Sequence, residues 1–441
     1  MIVMKFGGSS VANRAQVEKV MEIVKGRLDK GPVVVSSAHK GITDALINSA
    51  KAAVHRQYNL PDVIDLQSEI ASSMGCPPEI LAELFQEVSD LLRGIGLVRE
   101  LSPRSLDYMA SFGERMAVRV IADFFTRQGL PAKAFDVWDL GFITDANFGM
   151  ARPLPDYAER MKNAFACMVE PGVVPVITGF VGKTETGDIT TVGRNGSDLT
   201  ATLVGAAIEA EEVEIWTDTD GVMTADPSMV PQAKNIPEMS FSEAAELAHF
   251  GSRVLHPATL LPAMEREIPV RVLNTNRPEH PGTVINREGP LQTQGVTSVA
   301  YKENQVVVTI TSARMLEQAG FVARVFEVLA EREVVVDMIA TSEISVSFTT
   351  DRLAHIERAL PELEKYGSCD IREGKTVLVV VGRDLGRCRG LSADILSAVA
   401  SSGTQIDMLS FGMGAINFSL VVDDSDVKKA VTTLHQVLFE K

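Results

Sequence analysis

The sequence predicts an α/β protein: a largely parallel sheet sandwiched by helices, followed by two small βαββαβ units. Three observations predict it. Short β-branched runs alternate with amphipathic stretches through about residue 285, the pattern of strands joined by helical crossovers. Several of those runs end in glycine turns that lead into helices. Beyond a polar, turn-rich segment the chain repeats itself.

The elements follow in order. Ile2–Phe6 is apolar around Lys5 and is broken by Gly7-Gly8-Ser9-Ser10. Residues 16–28 carry Val17, Val20, Met21, Val24 and Leu28 at helical spacing. Pro32–Ser36, residues 173–178 and residues 214–217 read as buried strands, and residues 52–100 as a helical excursion on the sheet. Ser240-x-x-Glu243 is a capping box that starts a helix through His249. The segment NREGPLQTQ at residues 286–294 marks a boundary. After it, Gly320-Phe321-Val322-Ala323 opens a helix that ends before Val336-Asp337, and Gly390-Leu391-Ser392-Ala393 opens one that ends before Ile406-Asp407, with the same Gly-to-Asp spacing. A strand precedes each helix (306–311; 377–381), another follows (344–348; 416–422), and a second helix comes next, which is a split βαβ arrangement repeated twice. The expected domains are 1–288, 296–372 and 373–441; whether the two small units exchange strands stays open.

Composition narrows the function. A length of 441 residues suits about three domains. A net charge of −16 disfavours general nucleic-acid binding and attraction to anionic membranes, so anionic ligands must be held by local cations. Cys76, Cys167, Cys369 and Cys388 lie far apart and suit reduced thiols in a cytoplasmic protein. No apolar run approaches the ~18 residues of a membrane span. Phosphate-loop, dinucleotide-turn, zinc-protease and protein-kinase signatures are missing, and the seven histidines have no ligand spacing.

Chemistry therefore falls to glycines, cations and carboxylates. Lys5-Phe6-Gly7-Gly8-Ser9 is a strand end, a glycine turn and a helix start, where backbone N–H groups can cradle phosphate and Lys5 can reach over it. Gly193-Arg194-Asn195-Gly196-Ser197-Asp198 is a second glycine loop feeding a helix; Asp198 alone would serve as a cap, but Arg194 has no such structural use. Thr217-Asp218 follows a strand directly, where open α/β sheets bind ligands. Glu114 in SFGER stands at a helix start, and Arg253 follows a helix break. Together these describe a magnesium–nucleotide site for phosphoryl transfer, which needs positioning and charge neutralisation more than covalent help.

KFGGSSVA, SFGER, TVGRNGSD, WTDTDGVMTADP and FGSRVLHPATL, in that order, resemble the aspartate kinases of the amino-acid kinase superfamily, and the repeats resemble ACT units. The resemblance implies transfer of the ATP γ-phosphate to the β-carboxylate of L-aspartate, with Mg²⁺. It implies that Lys5 neutralises the transferring group and that Gly7, Gly8 and Ser9 line the phosphates. Glu114 would hold the substrate ammonium; Arg194, with Thr43 and Ser197, would hold substrate carboxylates; Asp198 would organise Mg²⁺. Thr217, Asp218, Met223, Ser228, Arg253 and Val254 fall where the family binds nucleotide. Met223 replaces a usual tyrosine, Ser228 an arginine and Arg253 a lysine, while His39-Lys40 fills a loop usually made of small residues.

In the repeats, Met315, Gly320, Phe321, Val322, Val336, Asp337, Ser342 and Glu343 resemble the effector site of lysine-inhibited aspartate kinases. Asp337 and Glu343 would suit a lysine ammonium; the second copy, with Leu409-Ser410-Phe411, lacks the Thr-Ser-Glu segment. ACT pairing implies at least a homodimer. A different kinase of the same fold, such as a glutamate kinase, and a non-catalytic amino-acid sensor are the alternatives; Phe112-Gly113-Glu114 together with two ACT units favours aspartate.

Overall fold

The computed structural model describes residues 1–57, 60–251, 256–290, 295–316, 319–412 and 414–440. The chain forms two compact units: Met1–Val222 with Pro237–Phe241 and Val254–Gly289, and Met223–Ile236 with Ser242–Arg253 and Pro290–Lys441.

In the first unit the strands are β1 (Ile2–Phe6), β2 (Pro32–Ser36), β3 (Ala132–Phe135), β4 (Val174–Thr178), β5 (Val181–Lys183), β6 (Ile189–Thr191), β7 (Glu212–Thr217), β8 (Glu238–Ser240), β9 (Val270–Asn274) and β10 (Thr283–Asn286). Eight of them form one sheet in the order β3-β4-β2-β1-β7-β9-β10-β8, and β5 pairs with β6 as a separate hairpin. From β3 to β9 every pairing is parallel; β10 runs antiparallel to β9 and parallel to β8, so the last two strands oppose the rest. The central strands are buried along their length because helices cover both faces, so they read as unbroken Val/Ile runs rather than alternating ones.

The helices are α1 (Arg14–Lys25), α2 (Ile42–Val54), α3 (Leu60–Ser73), α4 (Glu79–Val98), α5 (Pro103–Arg127), α6 (Tyr157–Met168), α7 (Gly196–Ala207), α8 (Phe241–His249), which leads into the second unit, and α9 (Pro257–Glu265). Asn13 caps α1 by accepting from the Gln16 N–H. That helix stops at Gly26, short of the expected Leu28, which is exposed in a separate turn. Ser102 caps α5 with Pro103 in its first turn, and α5 buries Phe112, Met116, Val120 and Phe124 in the main core.

The second unit adds β11 (Gly295–Thr311), β12 (Met338–Thr341), β13 (Ser345–Thr350), β14 (Ser368–Arg383), β15 (Met408–Ser410) and β16 (Asn417–Asp423), with α10 (Phe321–Glu331), α11 (Leu353–Leu363), α12 (Leu391–Ser401) and α13 (Val427–Phe439). The six strands form one sheet, β12-β13-β11-β14-β16-β15. Two long strands make this possible. The second half of β11 pairs with β13 and with the start of β14, which completes the first repeat. The first half of β11, from Gly295 to Lys302, pairs with Val377–Arg383 and stands where the second repeat needs its fourth strand. The second repeat ends on α13 and takes its closing strand from ahead of the first. Each repeat has its own core, around Val308, Phe321 and Phe348 in one and Leu378, Ile395 and Leu420 in the other.

The Ser102 side chain accepts from the Ser105 N–H at 3.2 Å at the start of the longest helix. Ser102→Ala is expected to cost about 1 kcal/mol, read as a lower urea midpoint with an unchanged slope.

Candidate active site

Parallel strands deliver their exit turns to one edge of the sheet. The turns after β7, β1, β2 and β4 are stitched together one residue beyond the strands. The Gly7 N–H donates to the Trp216 carbonyl (3.3 Å), the Ser37 N–H to that of Phe6 (3.1 Å) and the Gly179 N–H to that of Ser36 (3.0 Å). Ser10 Oγ meets Thr275 Oγ1 at 2.7 Å, tying the glycine turn to the end of β9.

The second glycine loop packs on this edge. Asn195 adopts a left-handed conformation (φ 56°) and turns the chain into α7. Lys5 Nζ lies 2.6 Å from Asp198 Oδ1, with both side chains nearly buried. Ser37 Oγ donates to Ser197 Oγ at 2.9 Å. Gly179 allows the approach: a methyl group there would sit 2.6 Å from Ser197 Cβ. The two glycine loops therefore meet at Lys5, Ser197 and Asp198, while Arg194 is exposed on the loop leading into α7.

A second wall comes from α5, where Glu114 lies in the middle of the helix and not at a helix start as the sequence suggested. The Ala38 N–H donates to Glu114 Oε1 at 3.2 Å, and Glu114 Oε2 has no partner among the described residues. Gly113 lets the helix come this close: a methyl group there would lie 2.8 Å from Ala38 Cβ and 3.1 Å from Thr43 Oγ1. Glu114 is 4% exposed. Burial pushes its carboxyl up to about 8, against the lowering effect of the Ala38 N–H. Ser37 and Ala38 were not among the expected site residues. Their signal was the same as at Gly7: a strand, a turn of small residues and a helix start.

Gly7, Gly8 and Ser9 are partly exposed in the turn after β1. Thr217 Oγ1 donates to Asp218 Oδ1 at 3.3 Å, and Asn274 braces the same turn through Asp220 at 2.7 Å. Met223 and Ser228 belong to the second unit, where Ser228 closes a turn on Asp226. Arg253 and Val254 lie outside the described residues.

In the first repeat, Gly320 opens α10 with φ 84°, Phe321 is buried, and Met315, Val322 and Val336 pack against the same core. Ser342 Oγ meets Ser345 Oγ at 2.7 Å, and Glu343 is exposed. Asp337 differs from expectation. Its side chain is 1% exposed, and its carboxylate is already held by Lys302 Nζ (2.6 Å) and His249 Nε2 (2.9 Å). Burial pushes this carboxyl up, but the hydrogen bonds from His249 and Lys302 outweigh it and hold the group below its ordinary value. Lys302 also reaches Asp351 at 3.2 Å. The second repeat carries the same cluster: Lys375 lies 2.5 Å from both Asp407 and Asp423. An aspartate–lysine–aspartate lock is thus a property of each repeat, with or without the Thr-Ser-Glu segment.

Glu114 holds its proton more tightly in the folded chain, so it favours folding below about 4.5 and loses that contribution as pH rises through about 8. Stability is expected to decline over this window, and Glu114→Gln should flatten the decline in urea titrations run at successive pH values.

The amino acid kinase family model matches residues 1–274, and an ACT domain model matches residues 308–365 and 378–438. The chain is 33% identical to the lysine-sensitive aspartokinase 3 of Escherichia coli, covering 100% of this chain and 99% of the relative. It is 34% identical to the chloroplastic aspartokinase 1 of Arabidopsis thaliana, over 99% of this chain and 80% of the relative. The crystal structure of E. coli aspartokinase III in complex with aspartate and ADP superposes with a TM-score of 0.84 at 32% identity, covering 100% of both chains. The complex of that enzyme with lysine and aspartate gives 0.78 at 32% identity, covering 100% of this chain and 99% of that one. The chain belongs to the amino acid kinase family and, within it, to the aspartokinases.

Proposed function

We propose that this chain transfers the γ-phosphoryl group of ATP to the β-carboxylate of L-aspartate, giving ADP and 4-phospho-L-aspartate. The observation that carries the proposal is the meeting of Lys5–Asp198 with the Ser37–Ala38–Glu114 wall at one sheet edge. That edge offers a cation beside a turn rich in N–H groups, and next to it a buried carboxyl with a free oxygen. The first suits a nucleotide tail and the second an ammonium group.

In this scheme the turn Gly7-Gly8-Ser9 lines the phosphates, the Gly7 N–H staying on the Trp216 carbonyl, and Lys5 leaves Asp198 to neutralise the transferring group. Thr217 and Asp218, in the turn after β7, serve the rest of the nucleotide. Glu114 binds the substrate ammonium, with Thr43, Ser197 and Arg194 on its carboxylates. The attacking carboxylate is ionised at neutral pH, so no general base is needed. Among the described residues no group of three or more His, Cys, Asp or Glu could hold a metal unaided. Asp198, the carboxylate at the sheet edge, would hold a Mg²⁺ bound together with the nucleotide phosphates. That ion would supply charge neutralisation.

The relatives' regulation, two ACT repeats and the exposed Glu343 support feedback inhibition by lysine, as the name of the E. coli relative suggests. Because Lys302 and His249 already occupy Asp337, Glu343 is assigned the effector ammonium and Asp337 the shape of the site. ACT repeats commonly pair between chains, so a homodimer or larger assembly is included in the proposal. Four free cysteines suit the cytoplasm as the place of action.

Acyl phosphate trapped as hydroxamate should form only with ATP, Mg²⁺ and aspartate and should fall at least ~100-fold in Lys5→Ala; product no higher than in that variant would remove the proposal. Binding an ammonium requires Glu114 to give up its proton, so KM for aspartate should fall as pH rises towards about 8 and then level off. Glu343→Ala should weaken lysine inhibition by roughly tenfold, about one charged hydrogen bond; an unchanged inhibition curve would move the effector elsewhere.

A further inference from the structure

The loop between β2 and α2 forms one wall of the site. Ser37 meets Ser197, Ala38 donates to Glu114, and Ala38 O would stand 3.0 Å from a methyl group on Gly8. Beyond these contacts the loop is held by His39. Its ring is 1% exposed, and Nδ1 lies 3.3 Å from Nε2 of Gln67, a fully buried residue on α3. The other end of each group, His39 Nε2 and Gln67 Oε1, is buried without a hydrogen-bond partner among the described residues.

This pair is poor chemistry for stability. An unpartnered buried polar atom is destabilising, and two apolar residues of similar shape would fill the space at least as well. Burial also lowers the imidazole to about 4, against the raising effect of Gln67, so the ring is neutral at working pH and contributes no charge. A hydrogen bond is directional where an apolar contact is not. The pair fixes the rotation of the loop about His39, and the adjacent Ala38 N–H is aimed by that rotation.

We infer that His39, held by Gln67, is a positioning residue of the substrate site: it sets the Ala38 N–H against Glu114 and so fixes the carboxyl that receives the amino acid's ammonium group. The inference rests on the proposed reaction for its substrate and on the His39–Gln67–Ala38–Glu114 geometry for its mechanism. It concerns the amino-acid side of the site, because the nucleotide turn is held separately through Trp216 and Thr275.

The test uses the full chain with His39→Met, Gln67→Met and the double variant. KM for aspartate should rise about tenfold in all three, the worth of one hydrogen bond of about 1.4 kcal/mol. KM for ATP should stay within twofold, and the double variant should be no less stable to heat than the wild type. A carboxyl-labelled Glu114 followed by NMR should titrate at higher pH in His39→Met, since the lowering contact with Ala38 is loosened. Aspartate KM unchanged in the double variant, or equal rises for aspartate and ATP, would overturn the inference. A wild-type protein that makes no aspartyl hydroxamate would instead fail the proposed reaction. The Glu114 titration would then still decide the positioning role: a shift supports it, and no shift overturns it.

Discussion

The Lys5–Asp198 ion pair is the contact on which the geometry of the site depends. Lys5 is the one charged residue of β1, between two strands that are otherwise buried. An ammonium group in that position needs a carboxylate partner, because the cost of removing it from water is repaid only by close pairing. The partner comes from the first turn of α7, much later in the chain, so the pairing pulls the start of that helix onto the sheet edge. Gly179 and Gly196 have no side chains because Ser197 and Phe180 take the space. The outcome is an edge where two glycine turns, a cation and a helix start share one small volume.

The opposite wall shows a different economy. Burial holds Glu114 protonated near neutrality and His39 neutral, so this wall carries little net charge before a ligand enters. Three of the buried side-chain atoms that lack partners among the described residues, His39 Nε2, Gln67 Oε1 and Glu114 Oε2, belong to it. The sheet core beneath is mostly apolar, and its buried carboxylate, Glu214, is held by Arg27 and Trp216. Unsatisfied polar groups tend to concentrate where a structure serves chemistry, because packing alone would replace them.

The regulatory repeats separate fold from ligand in another way. Both carry an aspartate just ahead of an edge strand, locked by a lysine within a long central strand. A repeated lock answers a repeated need, the closure of each small sheet. What differs is added to it: His249 on Asp337, and the exposed Thr341-Ser342-Glu343 segment in the first repeat alone. A carboxylate that resembles an effector ligand by position can thus be engaged by its own chain.

Much of this was legible in the residues. Val33-Val34-Val35 must be a strand covered on both faces, Gly7-Gly8 must turn, and the matching Gly-to-Asp spacings had to mean two copies of one unit. These are local facts, set by side-chain shape and by the periodicity of burial, and the sequence determined them by itself. The shared strand ladder of the repeats, the capture of Asp337 by Lys302 and His249, and the burial of His39 against Gln67 were not legible. Each joins residues from separate elements, and pattern along a chain does not say which polar groups will meet once apolar faces have closed. Tertiary structure alone decided those pairings, because a buried charge or hydrogen-bonding group takes whichever partner the packing brings within about 3 Å.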